Sequence, residues 1–150
     1  MPGMRKISFL ALFVVPALSG CALTHPKVPG PYADAPSLVN VAALTKFDGQ
    51  LPLVIIPENA ADWGPSLSYA VKAALKIKPT AQFRVALVGP PAAIPSVTEE
   101  QLVPLAPEAA LVADAIVADG VSTSHVSLAG PTMIDKAPAP TGPEIVVLAK

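Results

Sequence analysis

Gln82-Phe83-Arg84-Val85-Ala86-Leu87-Val88-Gly89 alternates in the way a strand does, with Phe83, Val85 and Leu87 turned to one side. Gly89-Pro90-Pro91 ends the run, because proline fixes φ and offers no N–H to a ladder. Upstream, Leu51-Pro52-Leu53-Val54-Ile55-Ile56 is a short aliphatic run rich in β-branched residues and stopped by Pro57, which predicts a buried strand. Between the two lies a helical pattern. Asp62 is placed to cap it and Pro65 falls in its first turn. Leu67, Ala70, Val71, Ala74 and Leu75 make one apolar stripe, and the helix is expected to end near Lys78, before Pro79. Lys72, Lys76 and Lys78 lie off that stripe or near the C-terminal end, where positive charge suits the helix dipole.

Downstream of Gly89, Thr98-Glu99-Glu100-Gln101 has the form of a capping box, and Pro104 and Pro107 are expected to break or restart the helix it opens. A long helix then runs to about Asp119, with Val112, Ile116 and Val117 on its buried side and Gly120 as its C′ residue. Val126-Ser127-Leu128 reads as a third strand and Glu144-Ile145-Val146-Val147-Leu148 as the last. The expected order is β-α-β-α-β-β. This is an α+β domain in which a small sheet carries two helices, with right-handed crossovers.

The first twenty residues have another character. Arg5 and Lys6 precede an apolar core of Ile7 and Phe9 to Val15, Pro16 breaks any helix, and small residues come after it. That is the layout of a cleaved export signal, too short to span a bilayer, which takes about 20 apolar residues. Its end, Leu18-Ser19-Gly20-Cys21, resembles the lipobox of bacterial lipoproteins: an aliphatic residue, a small residue, Gly or Ala, then Cys. The resemblance implies diacylglycerol transfer to the Cys21 sulfur, cleavage between Gly20 and Cys21, and acylation of the new N-terminus. Several acyl chains hold stably, since each buried CH₂ contributes about 0.8 kcal/mol. Ala22 stands where lipoproteins retained at the inner membrane tend to carry Asp, so the outer membrane is expected, with the body on the periplasmic face.

Removing residues 1–20 leaves 130 of the 150 residues, enough for one small domain and a tether. The division expected is a signal peptide over 1–20, a lipidated Cys and Pro-rich linker over 21–46, and the domain over 47–150. The linker holds Pro26, Pro29, Gly30, Pro31 and Pro36, and proline-rich chain extends at about 3.1 Å per residue. The whole chain has 19 prolines, well above the average share of about 5%, in clusters over 26–36, 90–107 and 131–143. Cys21 is the one cysteine, so no internal disulfide and no cysteine-based metal knuckle can form. Without Arg5 and Lys6 the chain carries 8 Lys+Arg against 11 Asp+Glu, a formal charge of −3. It has no basic stripe, so nucleic acid is not an expected partner.

The order and spacing of the elements resemble the OmpA-like, peptidoglycan-associated domain. The segments that carry the likeness are Val85-Ala86-Leu87-Val88-Gly89, Ile116-Val117-Ala118-Asp119-Gly120-Val121, Ser124-His125-Val126-Ser127-Leu128-Ala129-Gly130 and Glu144-Ile145-Val146-Val147. The resemblance covers about 47–150. In that family an Asp soon after the strand's Gly, and an Arg on the second helix, grip the diaminopimelate side chain of peptidoglycan. Here Gly89 is followed by Pro90-Pro91-Ala92, and the Arg position, twelve residues before Gly120, is Glu108. No Asp occurs between Asp62 and Asp114, and Arg84 is the only arginine after residue 20. Lysine does not replace a bidentate arginine. The usual family site is therefore absent. The same architecture occurs in small lipoproteins of pilus and secretion machines, including the CpaD-like proteins of tight-adherence pili, where it serves as a protein-binding part.

No catalytic constellation is expected. His25 and His125 are far apart and have no acidic cluster of ligand spacing beside them, so neither metal nor cofactor is implied. Ser122, Ser124 and His125 lack a Gly-x-Ser-x-Gly elbow and an acid to orient the histidine, so hydroxyl capping of a turn accounts for them. Glu99 and Glu100 are adjacent, point apart on a helix and suit its first turn. Gly89-Pro90-Pro91 cannot cradle phosphate, for want of N–H donors. Trp63 and Tyr69 are the candidate interaction residues, since aromatics concentrate at binding hot spots, although core packing explains them as well. The expected function is a non-enzymatic scaffold or docking component of an envelope assembly. The other reading is a peptidoglycan binder with an altered site.

Overall fold

The computed structural model of the chain describes Tyr32, residues 34–131 and residues 139–150. The signal segment, Gly20, Cys21, His25 and the first part of the Pro-rich linker lie outside the described residues.

The fold is α+β, a four-stranded mixed sheet with helices. The strands are β1 (Pro52–Pro57), β2 (Phe83–Val88), β3 (Val126–Ala129) and β4 (Glu144–Ala149). The helices are α1 (Val41–Lys46), α2 (Gly64–Ile77), α3 (Pro95–Leu102) and α4 (Ala106–Ala118), with 3-10 turns at Val103–Leu105 and Thr123–His125. The sheet order is β1-β4-β2-β3. β4 runs antiparallel to both of its neighbours, and β2 and β3 are parallel. The last strand is thus slotted into the middle of the sheet, and Ile145 to Val147 are fully buried there.

All four expected strands and the first long helix form within two residues of their anticipated limits. The stripe on α2 is buried at Leu67, Ala70, Val71 and Ala74, which pack with Ile116 and Val112 of α4 and with Phe83 and Val85 of β2 in one core. About 25 cal/mol per Å² of apolar surface removed from water drives this packing.

Several expectations need correction. Among the described residues four α-helices form where two were expected. Pro104 splits the second helical region, since its ring and missing N–H interrupt the ladder, and a 3-10 turn bridges α3 to α4. Neither expected side-chain cap is used. α2 begins at Gly64 behind Trp63, and α3 at Pro95 behind Ile94, neither with a side-chain cap hydrogen bond. In each helix a proline occupies the first turn, where a missing N–H costs nothing. Asp62 is therefore not a cap, and Thr98 lies inside α3 with its hydroxyl donating to Pro90 O at 3.3 Å.

The folded body also starts before residue 47. Asn40 Oδ1 accepts from Ala42 N at 3.0 Å and caps α1, whose Ala43 and Leu44 join the core. Asn40 N donates to Leu53 O at 2.9 Å and Val39 bridges Val54, so this stretch covers the outer edge of β1. An edge strand left bare would offer unpaired backbone groups. Pro52 sits at the first position of β1, and the register slips between Pro52 and Val54, as a residue without a donor requires.

At the turn before β1, Asp48 accepts from Gln50 N at 3.0 Å and Leu51 N at 3.3 Å. Those bonds, the Gln50 one foremost, hold its carboxyl below the ordinary range. Glu144, opposite Val88 and Pro57 at the start of β4, is pushed the other way by burial. A raised carboxyl pKa means that ionisation costs more in the folded state. Its contribution is favourable below the unfolded value of about 4.3 and is lost as pH rises through the folded value. Glu144→Gln is therefore expected to be more stable than the parent at pH 7, with the two converging in acid. Denaturant midpoints at pH 7 and in acid check this, and equal midpoints at pH 7 would refute it.

Candidate functional site

Two surfaces emerge from this frame. The first is the end of the sheet beside Gly89. A cleft of about 230 Å³ is lined there by Gly89, Pro90, Pro91, Ala92, Pro95, Thr98, Glu99, Leu102 and Pro131. No lysine, arginine or aspartate is among these residues. The cleft's one charged lining residue among the described residues is Glu99. A Cβ on Gly89 would come within 2.8 Å of Thr98 Cγ2, so α3 sits directly on the end of β2 and narrows the cleft. Glu108 accepts the indole N–H of Trp63 at 3.0 Å.

That bond also places the candidate interaction residues. Trp63 packs against the core just ahead of α2 and ties α2 to the first turn of α4. Tyr69 is half-buried on the same helix. A second link between these helices runs from Ser68 Oγ to Asp119 Oδ1 at 2.8 Å, with Lys72 Nζ 3.5 Å from the same oxygen. Lys72 is largely exposed, so its ion pair adds little. Ser122 Oγ and Ser124 Oγ are 2.9 Å apart, and His125 N donates to Ser122 O at 2.8 Å, as in a capped turn. Among the described residues no group of three or more His, Cys, Asp or Glu is placed to hold a metal ion.

The second surface is the outer side of α3 and α4, which the sequence patterns did not single out. Leu102, Leu105, Ala109, Val112, Ala113 and Ile116 face inward and are buried. The opposite side is ordinarily charged in a surface helix. Here Val103 is 68% and Leu111 60% exposed, flanked by exposed Pro104, Ala106, Pro107 and Ala110. Ile94 and Val97 extend the apolar surface at the start of α3. Asp114 is the one charge at the exposed positions of α4. The run Pro95–Ala118 is apolar and long enough to pass for a membrane span, and only 28% of its most apolar window is buried. The signal that could have shown this is the absence of charge between Gln101 and Asp114 other than Glu108.

The chain matches no protein-family model, and no curated protein matches it significantly.

Proposed function

We propose that the chain is a lipoprotein anchored to the outer membrane through Cys21, and that its periplasmic body is a non-enzymatic docking component of an envelope assembly. The body is read as a degenerate OmpA-like domain. The observation that carries this reading is the exposed apolar strip from Val103 to Leu111, along the 3-10 turn and the start of α4. Contiguous exposed apolar surface marks interaction sites on soluble bodies, and Val103, Pro107, Ala110 and Leu111 form such a strip. Trp63 is engaged with Glu108 and the core, which leaves aliphatic contact as the main attraction this face offers.

The cell-wall reading is disfavoured by the cleft beside Gly89, which among the described residues has no cation to meet a carboxylate. Co-sedimentation with purified peptidoglycan sacculi separates the two readings. The purified protein is expected to stay in the supernatant at moderate salt. Saturable pelleting with sacculi would instead identify a peptidoglycan binder whose site differs from the family's.

A further inference from the structure

At the end of the sheet opposite to Gly89, a cleft of about 310 Å³ opens between the start of β2, the end of β4 and the turn leading into β3. Arg84, His125 and Lys150 line it, with Gln82, Ser124 and Ser127 among them, and among the described residues no Asp or Glu side chain does. This is a concentration of positive charge on a chain whose exported part is acidic.

The strand register explains the grouping. Arg84 is paired with Leu148 on β4 and with Ser127 on β3. Gln82 and Lys150 exchange both backbone hydrogen bonds, at 3.0 and 3.1 Å, and so continue the ladder. Cross-strand partners project from the same face of a sheet, so Gln82, Arg84, Lys150 and Ser127 share one face. Arg84 and Lys150 are diagonal neighbours there, a relation that puts Cβ atoms about 7–8 Å apart, within reach of long side chains. Gly49 holds the place of Lys150. Its φ of +69° and its approach to Lys150, where a Cβ would lie 2.9 Å from Lys150 Cβ, leave room for no larger residue.

Two cations that line one cleft favour an anion between them. Among the described residues the one ion pair is Lys72 with Asp119, so neither Arg84 nor Lys150 has a carboxylate partner there. Leu148, nearly sealed from solvent and on the same face as Arg84, gives the cleft an apolar floor, which strengthens attraction for an anion.

We propose that this cleft binds an oxyanion, a carboxylate or phosphate group, between the Arg84 guanidinium and the Lys150 ammonium, with the hydroxyls of Ser124 and Ser127 at its rim. The site is independent of the docking face on α3 and α4 and stands or falls separately. The test is titration of the purified full chain at low ionic strength, followed by amide chemical shifts. One arm uses inorganic phosphate and the other an acetylated Gly-Gly peptide with a free carboxylate, each against sodium chloride at matched ionic strength. Saturable shifts at Arg84, His125 and Ser127 are expected in at least one arm, and the arm that binds identifies the source of the oxyanion. Arg84→Gln and Lys150→Gln are each expected to weaken that binding roughly tenfold, with the helix signals unchanged. Shifts that fail to saturate in both arms, that sodium chloride reproduces, or that survive the double substitution would overturn the proposal.

Discussion

Phe83→Ala is expected to destabilise the body by about 3–5 kcal/mol, the range for emptying a buried aromatic site. Phe83 is 1% exposed and is the bulkiest of the fully buried side chains. It begins β2, the strand hydrogen-bonded to both β4 and β3, and packs in the core with residues of α2 and α4. A domain of this size has about 5–15 kcal/mol in total, so the variant should be largely unfolded at modest denaturant concentration. Phe83→Leu keeps most of the volume and should cost less than about 1.5 kcal/mol. Urea unfolding of the three proteins gives the comparison. A loss below about 1 kcal/mol for Phe83→Ala would mean that α2 and α4 do not close over β2 as described.

The second large effect concerns the anchor. If Cys21 carries the lipid, Cys21→Ser should abolish acylation, and whatever is cleaved elsewhere should move from the membrane fraction into the soluble periplasmic fraction, while any uncleaved form stays with the membrane through its apolar signal segment. A serine hydroxyl does not replace the thiol in thioether formation, and loss of the acyl chains removes about 0.8 kcal/mol per buried CH₂. Fractionation and the mass of the N-terminal peptide read this out. A variant that had lost residues 1–20 and carried no lipid, yet remained membrane-bound, would show that something other than Cys21 holds the protein, the apolar strip from Val103 to Leu111 being the first place to look.

The strands and α2 were legible because their patterns are strong. β1 and β4 are aliphatic runs, β2 alternates, and α2 has a five-residue apolar stripe between prolines. α1 was hidden because it is a six-residue helix whose burial rests on Ala43 and Leu44, too little to stand out beside a proline-rich tether. The two expected caps failed for one reason: where a proline can open a helix, a nearby Asp or Thr has no need to. The place of β4 between β1 and β2 was not legible, since strand order depends on pairings distant in sequence.

The cleft lined by Arg84 and Lys150 depends on that unseen order. Arg84 and Lys150 meet only because β4 lies against β2, and no local spacing announces it. The apolar outer face of α4 is written in the chain, yet a helix apolar on all sides reads as fully buried until its partner on each side is known. The absence of Asp between Asp62 and Asp114, and of any arginine but Arg84 after residue 20, was legible throughout and needs no structure to be seen.

The central claim is that the outer face of α3 and α4 docks an envelope protein. Crosslinking and pulldown from native envelopes with a C-terminal tag, analysed for protein and for muropeptides, tests it most directly when the parent is set beside Val103→Glu/Leu111→Glu. Both positions are well exposed, so the variant should keep its fold and its place in the membrane. The parent is predicted to enrich a defined envelope complex without muropeptides. The variant is predicted to lose at least about tenfold of that enrichment, as expected when charge is buried in an apolar interface. Equal capture by both proteins, or enrichment of peptidoglycan alone, would contradict the claim.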